Sequence, residues 1–198
     1  MTNAKKPEVH RQHIIDVARH LFAVNGYAQT TTRMINEHLN DAAGLLYYYF
    51  PQGKRQILNA VVARGSEWPA PEIDWQLAAG ASSSVLASKI IAGFEQLWTQ
   101  LLQAEHLETI TVLVRERVLL EVTQTKWLLA LYDHVQQSLL AALTAAGVKL
   151  ERATMLAGML MALFQKQIFD HVLVDNAMVS ATEFGQGMRT DVLVLLDS

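Results

Sequence analysis

Two pairs of adjacent aspartate and histidine residues are the nearest match in the sequence to a general acid–base catalytic site. They are Asp133-His134 and Asp170-His171, and a carboxylate that orients an imidazole is a common arrangement in general acid–base catalysis. Adjacent residues of a helix project toward different faces, so neither pair is expected to converge on one substrate. The sequence also holds no glycine-rich phosphate loop, no GxSxG elbow and no HExxH zinc motif. We therefore predict that the protein is not an enzyme.

The sequence contains no cysteine, which excludes disulfides, thiolate catalysis and cysteine-bound zinc. The N-terminal residues after Lys5 and Lys6 are polar, and no apolar stretch typical of a signal peptide follows them. The longest apolar run, Met155 to Phe164, is about half as long as the roughly 20 residues that cross a membrane. These features predict a cytoplasmic protein, and none of them indicates a cofactor or a metal.

Positive charge is concentrated near the N-terminus, although the whole chain has a formal net charge of −3. Residues 1–60 contain seven Lys or Arg against four Asp or Glu, and residues 61–198 contain nine against fifteen. A basic segment attached to an acidic body is typical of a nucleic-acid-binding module joined to a sensor, because phosphates attract local positive charge. We expect Lys5, Lys6 and Arg11 to form an N-terminal arm that supports such binding.

Three short helical segments are predicted near the N-terminus. Apolar residues recur at helical spacing from Ile14 to Phe22, and Asn25-Gly26 ends that helix. The hydroxyls of Thr30 to Thr32 can cap a second, short helix. A polar turn at Asn40-Asp41 leads into a third helix, from about Ala42 to Tyr49. Two short helices joined by a tight turn form a helix-turn-helix, whose second helix enters the major groove of DNA.

The rest of the chain is also helical by its pattern, with no alternating stretch typical of a strand. A fourth helix begins at Lys54 and runs toward the break at Trp68-Pro69-Ala70-Pro71. Amphipathic stretches continue to the end, and the last two helices are predicted at about 150–174 and 180–196. We therefore predict an all-α protein, with a three-helix domain over residues 1–55 and a larger helical bundle over residues 56–198.

The predicted second helix of the motif reads Ala42-Ala43-Gly44-Leu45-Leu46-Tyr47-Tyr48-Tyr49-Phe50. With Gly26-Tyr27, Thr30-Thr31, Ile35 and Lys54, it resembles the signature of the TetR/AcrR family over about residues 9 to 60. The FPxGK form at residues 50–54 is similar to the LmrA/YxaF-type branch. The resemblance implies a DNA-binding transcriptional regulator, most often a homodimeric repressor released from a palindromic double-stranded operator by a small-molecule effector.

The resemblance also implies which residues contact DNA. Gly44 lacks a side chain and would let the helix approach the groove closely. Tyr47, Tyr48 and Lys54 would bond phosphates or base edges, and Thr31 would offer its hydroxyl or amide to a further phosphate. The predicted DNA-contact set is Thr31, Arg33, Ala43, Gly44, Leu45, Tyr47, Tyr48, Tyr49 and Lys54.

Other positions of the motif have structural roles or depart from the family. Leu46 and Phe50 would face the core, and plain packing of the tyrosines at 47–49 is the alternative to DNA contact. Asn40-Asp41 replaces the small residues and the capping serine that the family usually has in the turn. Asp41 can cap the third helix in place of that serine, but it puts negative charge near the phosphates.

The predicted recognition helix carries no Arg, Lys, Asn or Gln for bidentate contacts with bases. We therefore expect specificity to depend on Leu45 and Ala43 against thymine methyl groups, on Tyr48, and on DNA shape. The alternative function is a TetR-like ligand-binding or interaction module with impaired DNA binding. The presence of Gly44, Tyr47 and Lys54 argues against that alternative.

The resemblance implies an effector pocket and a dimer interface in the larger domain. Lining by aromatic residues favours a lipophilic or aromatic effector, whereas the polar residues at 165, 166, 170 and 171 favour a polar or anionic one. Ordinary core packing is the alternative for each aromatic residue. The predicted pocket residues are Phe94, Trp98, Trp127, Tyr132 and Phe164.

The homodimer is expected to form through the last two helices. The helix predicted at 150–174 is apolar on more than one face, which suits packing on its own domain and on a second subunit. The last helix adds an apolar stripe, and burial within one subunit is the alternative. The stripe consists of Phe184, Met188, Val192 and Leu195.

Overall fold

The computed structural model describes residues 5–39, 43–170 and 179–197. Over these ranges the chain forms α-helices and two short 3₁₀ turns but no strand, which confirms the predicted all-α class. No helix in the described ranges is long and apolar enough to cross a membrane. The helices are α1 (Lys5–Asn25), α2 (Thr32–Leu39), α3 (Ala43–Tyr49), α4 (Lys54–Arg64), α5 (Ser83–Leu101), α6 (Ala104–Arg115), α7 (Val122–Ala145), α8 (Leu150–Phe169) and α9 (Ala181–Asp197), and the 3₁₀ turns are Gly65–Glu67 and Arg117–Leu119.

The chain divides into two compact units of packing. The first unit comprises Met1–Trp68 and Glu105–Leu128, and the second comprises Pro69–Ala104 and Leu129–Ser198. α6 and the start of α7 therefore pack with the N-terminal helices, although they are distant from them in sequence. The predicted domains, residues 1–55 and 56–198, stay a prediction.

The core of the first unit is built on the apolar face of α1. Ala18 and Phe22 are fully buried, as the helical spacing of that segment predicts. Ile35 of α2 and Val61 of α4 are also fully buried, and Val112 of α6 completes the same cluster. This core fixes α2 and α3 on α1.

Two glycines make the turns that set the helices of the motif. Gly26 has φ of 80°, and its amide donates to the carbonyl of Phe22 at 2.9 Å, which confirms the predicted end of α1. Gly53 has φ of 64°, and its amide donates to the carbonyl of Phe50 at 2.8 Å immediately before α4. A residue with a Cβ would be strained at either position.

The basic residues near the N-terminus belong to α1, and this corrects the expected arm. α1 begins at Lys5 and includes Lys6 and Arg11. Pro7 is tolerated there because amides in the first turn of a helix have no carbonyl partner within the helix, so a proline loses no hydrogen bond. Arg11 lies over the ring of Phe50, 5.3 Å from the centroid.

The second unit contains α5 packed closely against α9. Phe184, Met188 and Val192 of α9 are at most 1% exposed and lie in the core of this unit. These side chains are therefore not available to a second subunit, which corrects the expected role of that stripe. The apolar spacing of an interface helix and of an ordinary core helix is the same, so the pattern did not distinguish them.

Candidate nucleic-acid interface

α3 has one face in the core of the first unit and one face outside it. Leu46 and Phe50 are fully buried, which confirms their predicted core position. Tyr47 and Tyr48 are 51% and 74% exposed, so the buried pair holds α3 with two phenol rings outward. Gly44 is also exposed, and a Cβ added there would meet no described atom within 4 Å. Packing within the described residues therefore does not require a glycine at this position.

The start of α2 places hydroxyl groups beside α3. The Oγ1 atom of Thr31 accepts from the amide of Met34 at 3.1 Å, so Thr31 caps α2. The Oγ1 atom of Thr32 lies 3.3 Å from the Oη atom of Tyr47. Thr30 is buried and bonds the backbone of α1 and the following turn. The hydroxyls of Thr31, Thr32 and Tyr47 thus form a polar surface at the junction of the two helices.

Arg33, one of the predicted DNA contacts, is exposed near the start of α2. Its side chain is 87% exposed, and its Nε atom lies 2.8 Å from the Oε1 atom of Glu37, one turn later. This hydrogen bond raises the pKa of Arg33, and the carboxylate offsets part of its positive charge. Glu37 therefore reduces the positive potential that Arg33 produces at the start of α2.

Lys54 is turned toward the backbone between α1 and α2. Its Nζ atom donates to the carbonyl of Tyr27 at 2.7 Å, to that of Thr30 at 2.8 Å and to that of Ala28 at 3.4 Å. The ammonium also lies 4.2 Å from the centroid of the Tyr27 ring. Burial lowers the pKa of Lys54, and the charge of Glu116 partly opposes that effect. Contact between Lys54 and a phosphate stays a prediction.

Tyr49 is less exposed than Tyr47 and Tyr48, and it packs on other residues of the first unit. Its ring stacks with that of His10 at 6.4 Å between centroids and meets that of Tyr48 edge-on at 5.0 Å. It lies against the core cluster of the first unit. The alternative of plain packing thus describes Tyr49 better than Tyr47 or Tyr48.

The remaining predicted DNA contacts are Leu45, which is partly buried, and Ala43, which begins α3. The turn residues Asn40 and Asp41, including the proposed cap, lie outside the described residues, and so does His171. Among the predicted DNA contacts, the structure brings Tyr47 to the start of α2, where Thr32 lies next to Thr31 in sequence.

The predicted effector residues fall into two groups. Phe94 and Phe164 stack at 5.1 Å between ring centroids, and Trp98 stacks on Phe184 at 4.5 Å in the same core of the second unit. Tyr132 is partly buried against that core. Trp127 belongs to the first unit and packs there with Trp68 and Gly65. A pocket lined by these aromatic residues stays a prediction.

The sequence analysis did not predict the contacts of two residues, Thr32 and Glu116, that help to form or support this surface. Thr32 was expected only as a cap, yet its hydroxyl lies beside that of Tyr47. The Oε1 atom of Glu116, in the turn after α6, accepts from the amide of Tyr27 at 2.9 Å and supports the turn that Lys54 also holds. The run of three threonines could have indicated the role of Thr32. No residue pattern near Glu116 indicates its contact with Tyr27.

The short helices α2 and α3, with a buried anchor face and exposed hydroxyls, fit the helix-turn-helix arrangement whose second helix enters the major groove of DNA. Residues 14–61 match the model of the bacterial regulatory proteins of the tetR family. The match covers the N-terminal part of the chain, which is therefore similar to this family over those residues. No curated protein sequence matches it.

Solved structures of low sequence identity share the fold over nearly the whole chain. A tetR-family regulatory protein from Rhodococcus RHA1 has a TM-score of 0.61 at 16% identity, covering 94% of this chain and 96% of that one. AibR, in complex with isovaleryl coenzyme A and operator DNA, has a TM-score of 0.58 at 14% identity, covering 91% and 96%. GusR from Salmonella enterica has a TM-score of 0.55 at 20% identity, covering 98% of both chains.

Proposed function

We propose that this protein is a cytoplasmic, dimeric repressor that binds a palindromic operator and leaves it when a small-molecule effector binds. The main support for this proposal is the exposed face of α3. Leu46 and Phe50 anchor the helix while Tyr47 and Tyr48 are exposed, which suits a helix that enters the major groove and places phenols at phosphates or base edges. The exposed Gly44 adds to this, because a glycine that packing does not require suits close approach to a partner.

Phosphate contacts would come mainly from the start of α2. Thr31 and Arg33 are exposed there, beside the free amides of the first turn, which favour anions. α3 itself carries no basic side chain, so sequence preference would depend on Leu45 against thymine methyl groups and on DNA shape. This arrangement favours moderate affinity with a shallow salt dependence.

A homodimer through α8 and α9 is supported by apolar side chains that the second unit leaves exposed. Met155 and Met159 of α8 are 46% and 44% exposed, and Val194 of α9 is 62% exposed. Exposed apolar residues on adjoining helices favour association with a second copy around a two-fold axis. Such a dimer would present two α3 helices to half-sites about one helical turn apart.

The effector would act by favouring a dimer whose two α3 helices no longer fit successive major grooves. AibR, which shares this fold, binds isovaleryl coenzyme A, a short acyl group on an anionic carrier. The aromatic residues of the second unit support a lipophilic or aromatic effector for this chain.

Selection from a random duplex library at moderate salt tests the proposal without a known operator. We expect enrichment of a palindrome with half-sites about one helical turn apart. A Tyr47→Phe and Tyr48→Phe double variant removes only two hydroxyls and should bind that palindrome roughly tenfold more weakly. Thr144→Val, which removes one exposed hydroxyl from α7 in the second unit, is the control and should bind normally. Failure of the native protein to enrich any sequence, with or without an effector, would favour the ligand-binding module with impaired DNA binding.

A further inference from the structure

A cluster of hydrogen-bond donors lies in the first unit where α4 ends, beside the starts of α6 and α7. Three of its buried nitrogen atoms have no hydrogen-bond partner in the described part of the chain: Nε1 of Trp68, Nε1 of Trp127 and Nε of Arg64. Buried donors are nearly always bonded, because leaving one without an acceptor is destabilising. Three such atoms in one neighbourhood therefore point to an acceptor that the chain itself does not supply.

The packing of the rings shows that the two indoles are neighbours. The ring centroid of Trp68 is 4.2 Å from that of His106 and 5.2 Å from that of Trp127. The indole of Trp127 lies against Gly65, where an added Cβ would be nearest to Cζ2 and Cη2 and 2.6 Å from Cε2. Gly65 directly follows Arg64, so the ring of Trp127 is placed at the end of α4. Both tryptophan side chains are partly exposed although their Nε1 atoms are buried, so a ligand approaches through the exposed part of the rings.

The charges around the cluster decide which kind of acceptor fits. The guanidinium of Arg64 is paired with Glu67 at 2.7 Å and with Glu105 at 3.2 Å. Arg19 of α1 is paired with Glu108 at 3.1 Å and with the same Glu105 at 3.6 Å. In this network the carboxylates outnumber the guanidinium groups, so an anionic ligand would be repelled. A neutral carbonyl oxygen accepts hydrogen bonds without that penalty.

We propose that Trp68, Trp127 and Arg64 form a binding site for a neutral, planar aromatic ligand that carries a ketone, lactone or amide carbonyl. The carbonyl oxygen accepts from the indole N–H groups, and the ring system packs on the two tryptophans. Glu105 joins this site to α1, because it pairs with both Arg64 and Arg19. A role of this site as the effector site rests on the proposed function, whereas ligand binding itself does not.

The other two tryptophans of the chain are internal controls. Nε1 of Trp75 donates to Oγ of Ser138 at 2.9 Å, and Nε1 of Trp98 donates to the carbonyl of Val179 at 3.0 Å. Both indoles lie in the second unit and already have acceptors. Hydrogen bonding moves an indole N–H resonance downfield, so the four signals can report separately on the four sites.

The test is a titration of the ¹⁵N-labelled full chain, followed through its indole N–H resonances. The probes are 2-acetylnaphthalene, 2-ethylnaphthalene, which lacks the carbonyl, and 2-naphthoate, which is anionic. We expect the resonances of Trp68 and Trp127 to move downfield with 2-acetylnaphthalene, while those of Trp75 and Trp98 stay. The hydrocarbon and the naphthoate should each bind roughly tenfold more weakly or worse.

Single variants assign the signals and test the donor directly. Trp127→Phe removes one donor but keeps an aromatic ring, so the preference for the ketone over the hydrocarbon should fall toward one. Trp75→Phe, in the second unit, should leave that preference unchanged. Equal affinity for ketone and hydrocarbon, equal shifts of all four signals, or resonances already at hydrogen-bonded positions without ligand would each overturn the proposal. Since the titration uses no DNA, its failure is distinguishable from a failure to bind or leave an operator.

Discussion

Two basic side chains of the first unit show how the surroundings of a residue set its role. Arg33 is exposed but shares its charge with Glu37, whereas Lys54 is turned inward onto backbone carbonyls. Both were predicted to contact DNA. Their different surroundings lead to two different predictions.

Glu37→Gln should strengthen operator binding. Glu37 pairs with Arg33 at 2.8 Å, and its removal leaves the full guanidinium charge for a phosphate. We expect roughly threefold to tenfold tighter binding and a salt slope steeper by about one, measured by fluorescence anisotropy over a salt series. Glu72→Gln, an exposed carboxylate of the second unit, changes the net charge equally and should have little effect. An equal gain from both variants would show that only net charge matters.

Lys54→Met should reduce stability because three carbonyl groups lose their donor. The Nζ atom bonds the carbonyls of Tyr27 and Thr30 at 2.7 and 2.8 Å, and the loss of such charged hydrogen bonds costs about 1–3 kcal/mol. Urea unfolding followed by circular dichroism measures the change, with Lys126→Met on the exposed face of α7 as control. Normal stability with weaker operator binding would instead assign Lys54 to a phosphate.

At the scale of the helices, two glycines have opposite surroundings, so that substitutions of one test packing and substitutions of the other test DNA binding. Gly93 of α5 faces Trp75, and a Cβ added to it would lie 2.5 Å from two ring carbons. Trp75 is 3% exposed and bonded to Ser138, so its ring cannot move aside easily. Gly44 of α3 has open space instead.

Gly93→Ala should therefore destabilise the protein by about 1–3 kcal/mol through overpacking. Gly44→Ala should leave the free energy of unfolding unchanged or raise it by up to about 1 kcal/mol, because alanine favours helix. The same Gly44→Ala variant should weaken operator binding, because its new methyl group faces outward. Thermal unfolding and an operator titration of both variants check these outcomes. Normal operator binding by Gly44→Ala would contradict close approach of α3 to the groove.

At the scale of the whole molecule, self-association is the property that α8 and α9 would control. Met159→Glu places a charge on the apolar surface of α8 and should convert the dimer to a monomer at micromolar concentration. Val118→Glu is the matched control, because Val118 is 93% exposed in the 3₁₀ turn after α6. Analytical ultracentrifugation measures both. A native protein that is already monomeric would contradict the dimer through these helices.

The sequence alone determined the features that depend on nearby residues. The apolar period of α1, its end at Gly26, and the start of α4 at Lys54 were all predictable, because helix periodicity and capping are set within a few residues. The buried positions of Leu46 and Phe50 were predictable from the motif that places them. The all-α class and the resemblance to the TetR family followed from the same local signals.

Only the tertiary structure decided which surfaces meet. Apolar spacing marks a buried face but not its partner, so the stripe of α9 was assigned to a second subunit although it packs within its own unit. Trp127 was grouped with Phe94 although the two lie in different units. The carbonyl contacts of Lys54 and the acceptor-less indoles of Trp68 and Trp127 likewise depend on residues far apart in sequence. Partner choice arises from packing over the whole chain, and no local pattern encodes it.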